Sequence, residues 1–299
     1  MFIKILFFLA KIVPFRAFQA FGSILGFLMV FSNSKSLKTS STNLKHVFKS
    51  KTKEEIEDLS RSSVRQTSLS LMEAIYVWSN SRDFSRKIYP LISRVNNESK
   101  FDSLLGEDKG LIIISSHIGN MELLISWMAS KSENLIIPFT KVKNKTVNNL
   151  VKSGRQNYGA KMVGIGFKST KLLLEHINNK GTIAMAVDQV PKNKNRHTAN
   201  FFGNACYTNS LISNIAKRTD CNVIYCSCTL GKEGYQINIR EVGENFFSDD
   251  LAKSLEAMNK VLEEDILASP EQYAWEYKRF KGYIDSVSYT HLTLPTSFL

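Results

Sequence analysis

The sequence predicts an α/β protein: a sandwich of a mostly parallel sheet flanked by helices, preceded by a hydrophobic N-terminal helix. Two observations carry this. From about Phe101 onward, short β-branched runs alternate with helical segments, the pattern of a largely parallel sheet covered on both faces. The chain has 299 residues, 43% of them apolar, which is enough to bury a large core. A small stapled fold is excluded on that ground, and an ordinary 22% of charged residues excludes wholesale disorder.

Met1 to Phe31 is densely apolar and aromatic, interrupted by Lys4, Lys11, Pro14 and Arg16. Its uncharged stretch, Ala17 to Phe31, is shorter than the roughly 20 residues a spanning helix needs. Arg16 splits the apolar run, unlike the continuous apolar region of a cleaved signal peptide. The segment therefore reads as a retained anchor that enters or marginally spans a membrane, its cations reaching headgroup phosphates; a buried N-terminal hairpin is the competing account. Basic residues on both sides leave orientation open.

A polar loop is expected over 32–50. Thr52 with Glu55 forms a capping box that opens a helix, in which Leu71, Ile75 and Trp78 recur at helical spacing. Strands are expected at Leu111–Ile114, Leu135–Ile137, Ile183–Val187, Val223–Cys228 and Tyr235–Ile239. Helices are expected at Met121–Ala129, Thr146–Asn157, Ser169–Asn179, Ser210–Thr219 and Leu251–Leu267. The organisation is then a hydrophobic anchor (1–31), a helical linker region packing on the α/β domain (32–100), that domain itself (101–285) and an artefactual or disordered tail (286–299), which is uncharged apart from a histidine and breaks with the preceding pattern.

Lys plus Arg is 39 against 27 for Asp plus Glu, a surplus of +12 that suits an anionic partner: nucleic acid, an acidic carrier protein or a phosphate-bearing membrane. A nucleic-acid binder would leave the apolar N-terminus unexplained. Cys206, Cys221, Cys226 and Cys228 have no C-x-x-C spacing and read as reduced buried thiols.

Ligands of parallel sheets bind beyond the carboxyl ends of strands. There, SSHIGNMELL follows the first strand. His117 and Glu122 are five apart, about 140° around a regular helix, so they meet only if His117 sits in the turn. Gly119 permits that turn and Asn120 is a good N-cap. Glu122 would then hold one ring nitrogen of His117 and make the other a general base for a substrate hydroxyl. An inert capping histidine is the alternative.

The H-x-x-x-x-E dyad after a buried strand, behind an apolar basic N-terminus, resembles the late (lauroyl/myristoyl-type) acyltransferases of lipid A biosynthesis, within the wider lysophospholipid and glycerophosphate acyltransferases. Further blocks agree in order: Phe139 to Asn144, with Lys141 where the family usually has arginine; Arg155 and Gly159; Asp188-Gln189 followed by Phe201-Phe202-Gly203 and Thr208; and Pro270, Tyr273, Trp275 and Arg279. Met121 stands where the family commonly has tryptophan. The resemblance spans residues 1 to 283.

The resemblance implies a glycerophosphate-acyltransferase-like sandwich and transfer of a fatty acyl chain from acyl carrier protein to a hydroxyl of a lipid A precursor. It implies His117 and Glu122 as the catalytic pair, no covalent intermediate, no metal and no cofactor beyond the acyl-carrier thioester. It places Gly119 and Asn120 as oxyanion donors, Lys141 and Arg155 (with Lys143) on phosphate, and Asp188 and Gln189 in the substrate layer. Acyl carrier protein and an anionic membrane with its glycolipid are the expected partners, at the bacterial inner membrane with the catalytic domain facing the cytoplasm. A lysophospholipid or other glycolipid acceptor, acyl-CoA as donor, and a non-catalytic lipid-binding protein are the rival readings.

Overall fold

The computed structural model describes residues 2–140, 145–191 and 196–284. Ten α-helices and nine strands run in chain order among them. Helices α1 (Phe2–Ile12), α2 (Phe15–Phe31), α3 (Lys35–Val47) and α4 (Lys53–Ser79) come first, then β1 (Ile92–Asn96), α5 (Glu98–Gly106), β2 (Gly110–Ser115), α6 (Met121–Lys131) and β3 (Leu135–Phe139). They are followed by α7 (Lys145–Asn157), β4 (Lys161–Gly164), α8 (Phe167–Asn178), β5 (Thr182–Ala186), the hairpin β6 (Arg196–Phe201) and β7 (Asn204–Asn209), α9 (Leu211–Ala216), β8 (Cys221–Leu230), β9 (Tyr235–Glu241) and α10 (Leu251–Ala268).

Seven strands form one sheet in the order β1-β9-β8-β2-β5-β3-β4, parallel at every pairing except β8 with β9. The α/β architecture is therefore the one the alternation predicts. Strand β2 runs through its centre, and alternation along it feeds two cores: Leu111 and Ile113 join one, Ile112 and Ile114 the other. All four are essentially inaccessible, and burial of each such side chain stabilises the fold by about 1.5–3 kcal/mol. The four cysteines are free and buried, with Cys226 and Cys228 in the same core.

Two expectations need correction. The stretch expected as a loop over 32–50 contains α3: Ser34 caps it by accepting from the Leu37 N–H, and Asn43 donates to the carbonyls of Trp275 and Tyr277. Asn43 thus satisfies buried backbone rather than solvent, which composition does not reveal. The sheet also draws its edge strand β1 from the expected linker region, and β4 and the hairpin were not foreseen. The hairpin turns on Phe202 (φ 52°) and Gly203 (φ 68°), a two-residue loop with both residues left-handed.

At the N-terminus a break at Val13-Pro14 separates α1 from α2. Among the described residues no single helix is long and apolar enough to cross a membrane; α2 and α3 meet that test only as a pair bent by 78°. One face of α2, with Phe18, Gly22 and Gly26, packs on α4. A Cβ on Gly22 would lie 2.9 Å from Leu69 Cα and one on Gly26 2.8 Å from Arg65 Cα, so only glycine allows the two backbones to approach this closely. The other face remains exposed. The tail over 286–299 lies outside the described residues.

Helix α4 opens on the expected capping box, Thr52 with Glu55, and then serves as a spine behind the site. Ser63 donates to Tyr273 O and Ser70 to Gly119 O. Glu73, fully buried, accepts from Gln19 Nε2 (2.8 Å), Asn120 Nδ2 (2.9 Å) and the Tyr235 hydroxyl. Burial pushes its carboxyl above the ordinary range, against the pull of these three donors.

Candidate active site

Strands β2 and β5 are parallel neighbours whose last residues, Ser115 and Ala186, are in register. The next link, Val187 N–H to Ser115 O (3.0 Å), carries the pairing one step past the strands. Two residues beyond the paired ends stand His117 and Asp188, side by side by register alone. Asp188 Oδ1 meets His117 Nδ1 at 2.7 Å, and Oδ2 accepts the His117 backbone N–H at 3.0 Å. With the carboxylate accepting, the proton of a neutral ring sits on Nδ1 and the lone pair is left on Nε2. The Gln189 side-chain amide lies on it at 3.1 Å.

Asp188 is 3% exposed and the His117 side chain 18%, so the base is reachable while its partner is sealed. Burial works to lower the His117 pKa, but the Asp188 charge and hydrogen bond overcome it and leave the ring above its ordinary value. For Asp188, burial works upward; the imidazole, its hydrogen bonds and the more distant Arg279 pull the carboxyl below its ordinary value.

The turn is built as the sequence predicts. Gly119 adopts φ +59°, and an added Cβ would sit 2.0 Å from Cys228 O. Asn120 caps α6, its Oδ1 accepting the Leu123 N–H at 3.0 Å. His117 thus lies in the turn and α6 starts after it, yet the expected His117–Glu122 contact is not made. Glu122 is turned to the opposite side, where Arg155 from the last turn of α7 grips it with two nitrogens (Nε to Oε2 3.1 Å, Nη2 to Oε1 2.5 Å) and Trp78 Nε1 donates at 2.6 Å. The second residue of α6 points toward α4 and α7, away from the sheet end where the imidazole sits.

Other expected roles change with it. Arg155 is committed to Glu122 rather than to a phosphate. The Gly119 and Asn120 N–H groups are spent on Gln272 O (2.9 Å) and Cys228 O (2.8 Å), so neither is available to an oxyanion. Lys141 and Lys143 lie outside the described residues. Asp188 and Gln189, expected in the substrate layer, stand on the two ring nitrogens of His117. Tyr273 and Trp275 are buried. Arg279, also buried, donates to Tyr207 O and Thr208 Oγ1 (3.0 Å) and lies over the Phe201 ring, fastening the hairpin to the C-terminal block.

The roles of Glu73 and Trp78 at the site are not legible in the sequence. Each looks like an ordinary helix position, and only the tertiary approach of Asn120, Tyr235 and Glu122 gives it a role. The family model for the bacterial lipid A biosynthesis acyltransferases matches residues 1–282. The chain belongs to that family. No curated protein matches it closely enough to count as a relative. The acyltransferase therefore carries its family's activity class on a sheet whose central strand ends in the His117–Asp188 pair.

Proposed function

We propose that this acyltransferase moves a fatty acyl chain from acyl carrier protein to a hydroxyl of a lipid A precursor, with His117 as general base and Asp188 as the group that orients and charges it. The observation that carries this reading is the paired imidazole: Nδ1 locked on a buried carboxylate and Nε2 held only by the Gln189 amide, in a side chain that keeps 18% exposure. An acceptor hydroxyl takes the position of the Gln189 amide, gives its proton to Nε2 and attacks the thioester carbonyl. Asp188 stabilises the imidazolium that forms. Glu122 acts at one remove, tying α6 to Arg155 of α7 and Trp78 of α4.

On the far side of Trp78 a cleft of about 470 Å³ between α1, the end of α4 and α7 carries Lys11, Arg82 and Lys87 against Asp83. His117 does not line it. Its positive charge suits an anionic part of a substrate, a role no longer open to Arg155.

The outward row of α2 (Phe21, Ile24, Phe27, Leu28, Phe31) and of α1 (Ile5, Phe8, Leu9, Ile12) is exposed. Such a row supports seating in the inner leaflet of the bacterial inner membrane, with the catalytic domain on the cytoplasmic side. Replacing Phe21, Ile24 and Phe27 together by Glu leaves the α2–α4 packing intact and moves the protein from sedimenting with anionic vesicles to the supernatant, with little change in melting temperature. Persistent sedimentation of the triple variant would place the attachment elsewhere.

The assay that tests the function offers wild-type protein acyl carrier protein thioesters or acyl-CoA, with an under-acylated lipid A precursor or a lysophospholipid, and weighs the products by mass spectrometry. The expected product is the precursor plus one acyl chain, formed from the carrier thioester. Product from lysophospholipid alone would overturn the acceptor.

A further inference from the structure

Glu276 lies two residues past Ala274, whose N–H donates to His117 O at 3.0 Å, and Tyr273 pairs with Ile118 as an isolated antiparallel bridge. The C-terminal segment therefore runs along the His117 turn and brings Glu276 with it. Both Glu276 carboxyl oxygens are out of solvent and neither has a hydrogen-bond partner. The Thr67 hydroxyl of α4 and the Glu276 backbone N–H lie close enough to favour its charged form, but neither makes a well-formed hydrogen bond to the carboxyl oxygens. A buried carboxyl without partners is costly, and at a functional site it points to a partner that arrives with the substrate.

The reaction lacks one component. Attack on a thioester builds negative charge on the carbonyl oxygen, and this needs a donor. The Gly119 and Asn120 amides are already committed. We propose that Glu276 is a further substrate-contacting residue, its carboxyl O–H donating a hydrogen bond to the acyl carbonyl oxygen during attack. Burial favours the uncharged acid and pushes its pKa up to about 7, although the Thr67 hydroxyl, the Glu276 backbone N–H and the charge of His117 pull the other way. His117 is the titratable group that bears on Glu276; Asp188 and Arg155 act on that group in turn.

The proposal rests on the reading of His117 as base. The acceptor oxygen forms its bond to the carbonyl carbon and its proton passes to Nε2. The carbonyl π electrons move to the oxygen held by Glu276. On collapse the electron pair returns, the carbon–sulfur bond breaks, and the departing thiolate takes the proton from His117. Glu276 keeps its own proton throughout.

Full-length Glu276→Ala, Glu276→Gln and His117→Ala are compared with wild type for kcat, KM and melting temperature, using an acyl carrier protein thioester and a lipid A precursor over a mildly acidic to alkaline pH range. Glu276→Ala lowers kcat by about a hundredfold, the effect of losing one oxyanion donor, with KM nearly unchanged. Glu276→Gln, whose amide N–H still donates, stays within about tenfold of wild type and loses the alkaline decline in kcat that follows deprotonation of Glu276. Wild-type kcat in Glu276→Ala, or an alkaline decline retained in Glu276→Gln, overturns the proposal; the second measurement decides if the alanine variant does not fold. Loss of turnover in His117→Ala but not in Glu276→Ala removes only the Glu276 role. Turnover surviving in His117→Ala removes the base on which it rests.

Discussion

His117→Ala lowers acyl transfer at least about a hundredfold, because a positioned general base contributes about 10²–10⁴ to the rate. The loss falls on kcat, since the ring contributes mainly to proton transfer and little to holding the apolar chain or the headgroup. The substitution also strips Asp188 of its imidazole, leaving the buried carboxylate with the residue-117 backbone N–H at 3.0 Å, so melting temperature falls as well. Rates are therefore measured well below the variant's own transition. The wild-type pH profile carries an independent signature. Only the neutral ring accepts a proton, so kcat/KM rises with pH through a pKa above the ordinary histidine value of about 6.5. Unchanged transfer by His117→Ala would defeat the mechanism.

Much of this site is legible from local rules and some is not, and the boundary follows sequence distance. The strand run ending at Ser115, Gly119 at the turn and Asn120 as cap are all local chemistry, and each takes the predicted conformation. The partner of His117 is a different kind of fact. Asp188 is 71 residues away, and it arrives because β5, not β3, is the neighbour of β2. Strand order depends on crossovers that periodicity does not encode. The near residue Glu122 was the natural choice by spacing, but its position on the first turn of α6 sends its carboxylate toward α4 and α7. The same limit hid β1, whose residues resemble linker, and Glu73, a carboxylate in mid-helix whose donors come from α2, β9 and the catalytic turn.

Comparing Asp188→Asn with Glu122→Gln separates the observed partner of His117 from the expected one. Asparagine keeps the size of the side chain but lacks the charge that raises the imidazole pKa and holds its proton on Nδ1. Asp188→Asn therefore lowers kcat by up to about 10⁴, the loss that follows when the orienting acid of a histidine–aspartate pair becomes an amide. It also shifts the acid limb of the profile to lower pH, because burial still pushes the ring pKa down and the opposing charge is gone. The linkage for stability has a defined sign. The raised histidine contributes stability that is full below its unfolded pKa and lost as pH rises through the folded one. The depressed Asp188 contributes stability that is full above its unfolded pKa and lost as pH falls through the folded one. The pair thus stabilises the fold most between about pH 4 and 6.5, below the range in which it catalyses best. In Asp188→Asn both dependences flatten in urea titrations at several pH values. Glu122→Gln behaves differently: it leaves Arg155 partly buried without its counter-charge, which costs about 3–5 kcal/mol for a buried pair, and here less, since Arg155 is 17% exposed. Its main effect is a lower midpoint of unfolding, with the acid limb where wild type has it. Turnover abolished in Glu122→Gln at unchanged stability, with Asp188→Asn near wild type, would return the catalytic pairing to Glu122.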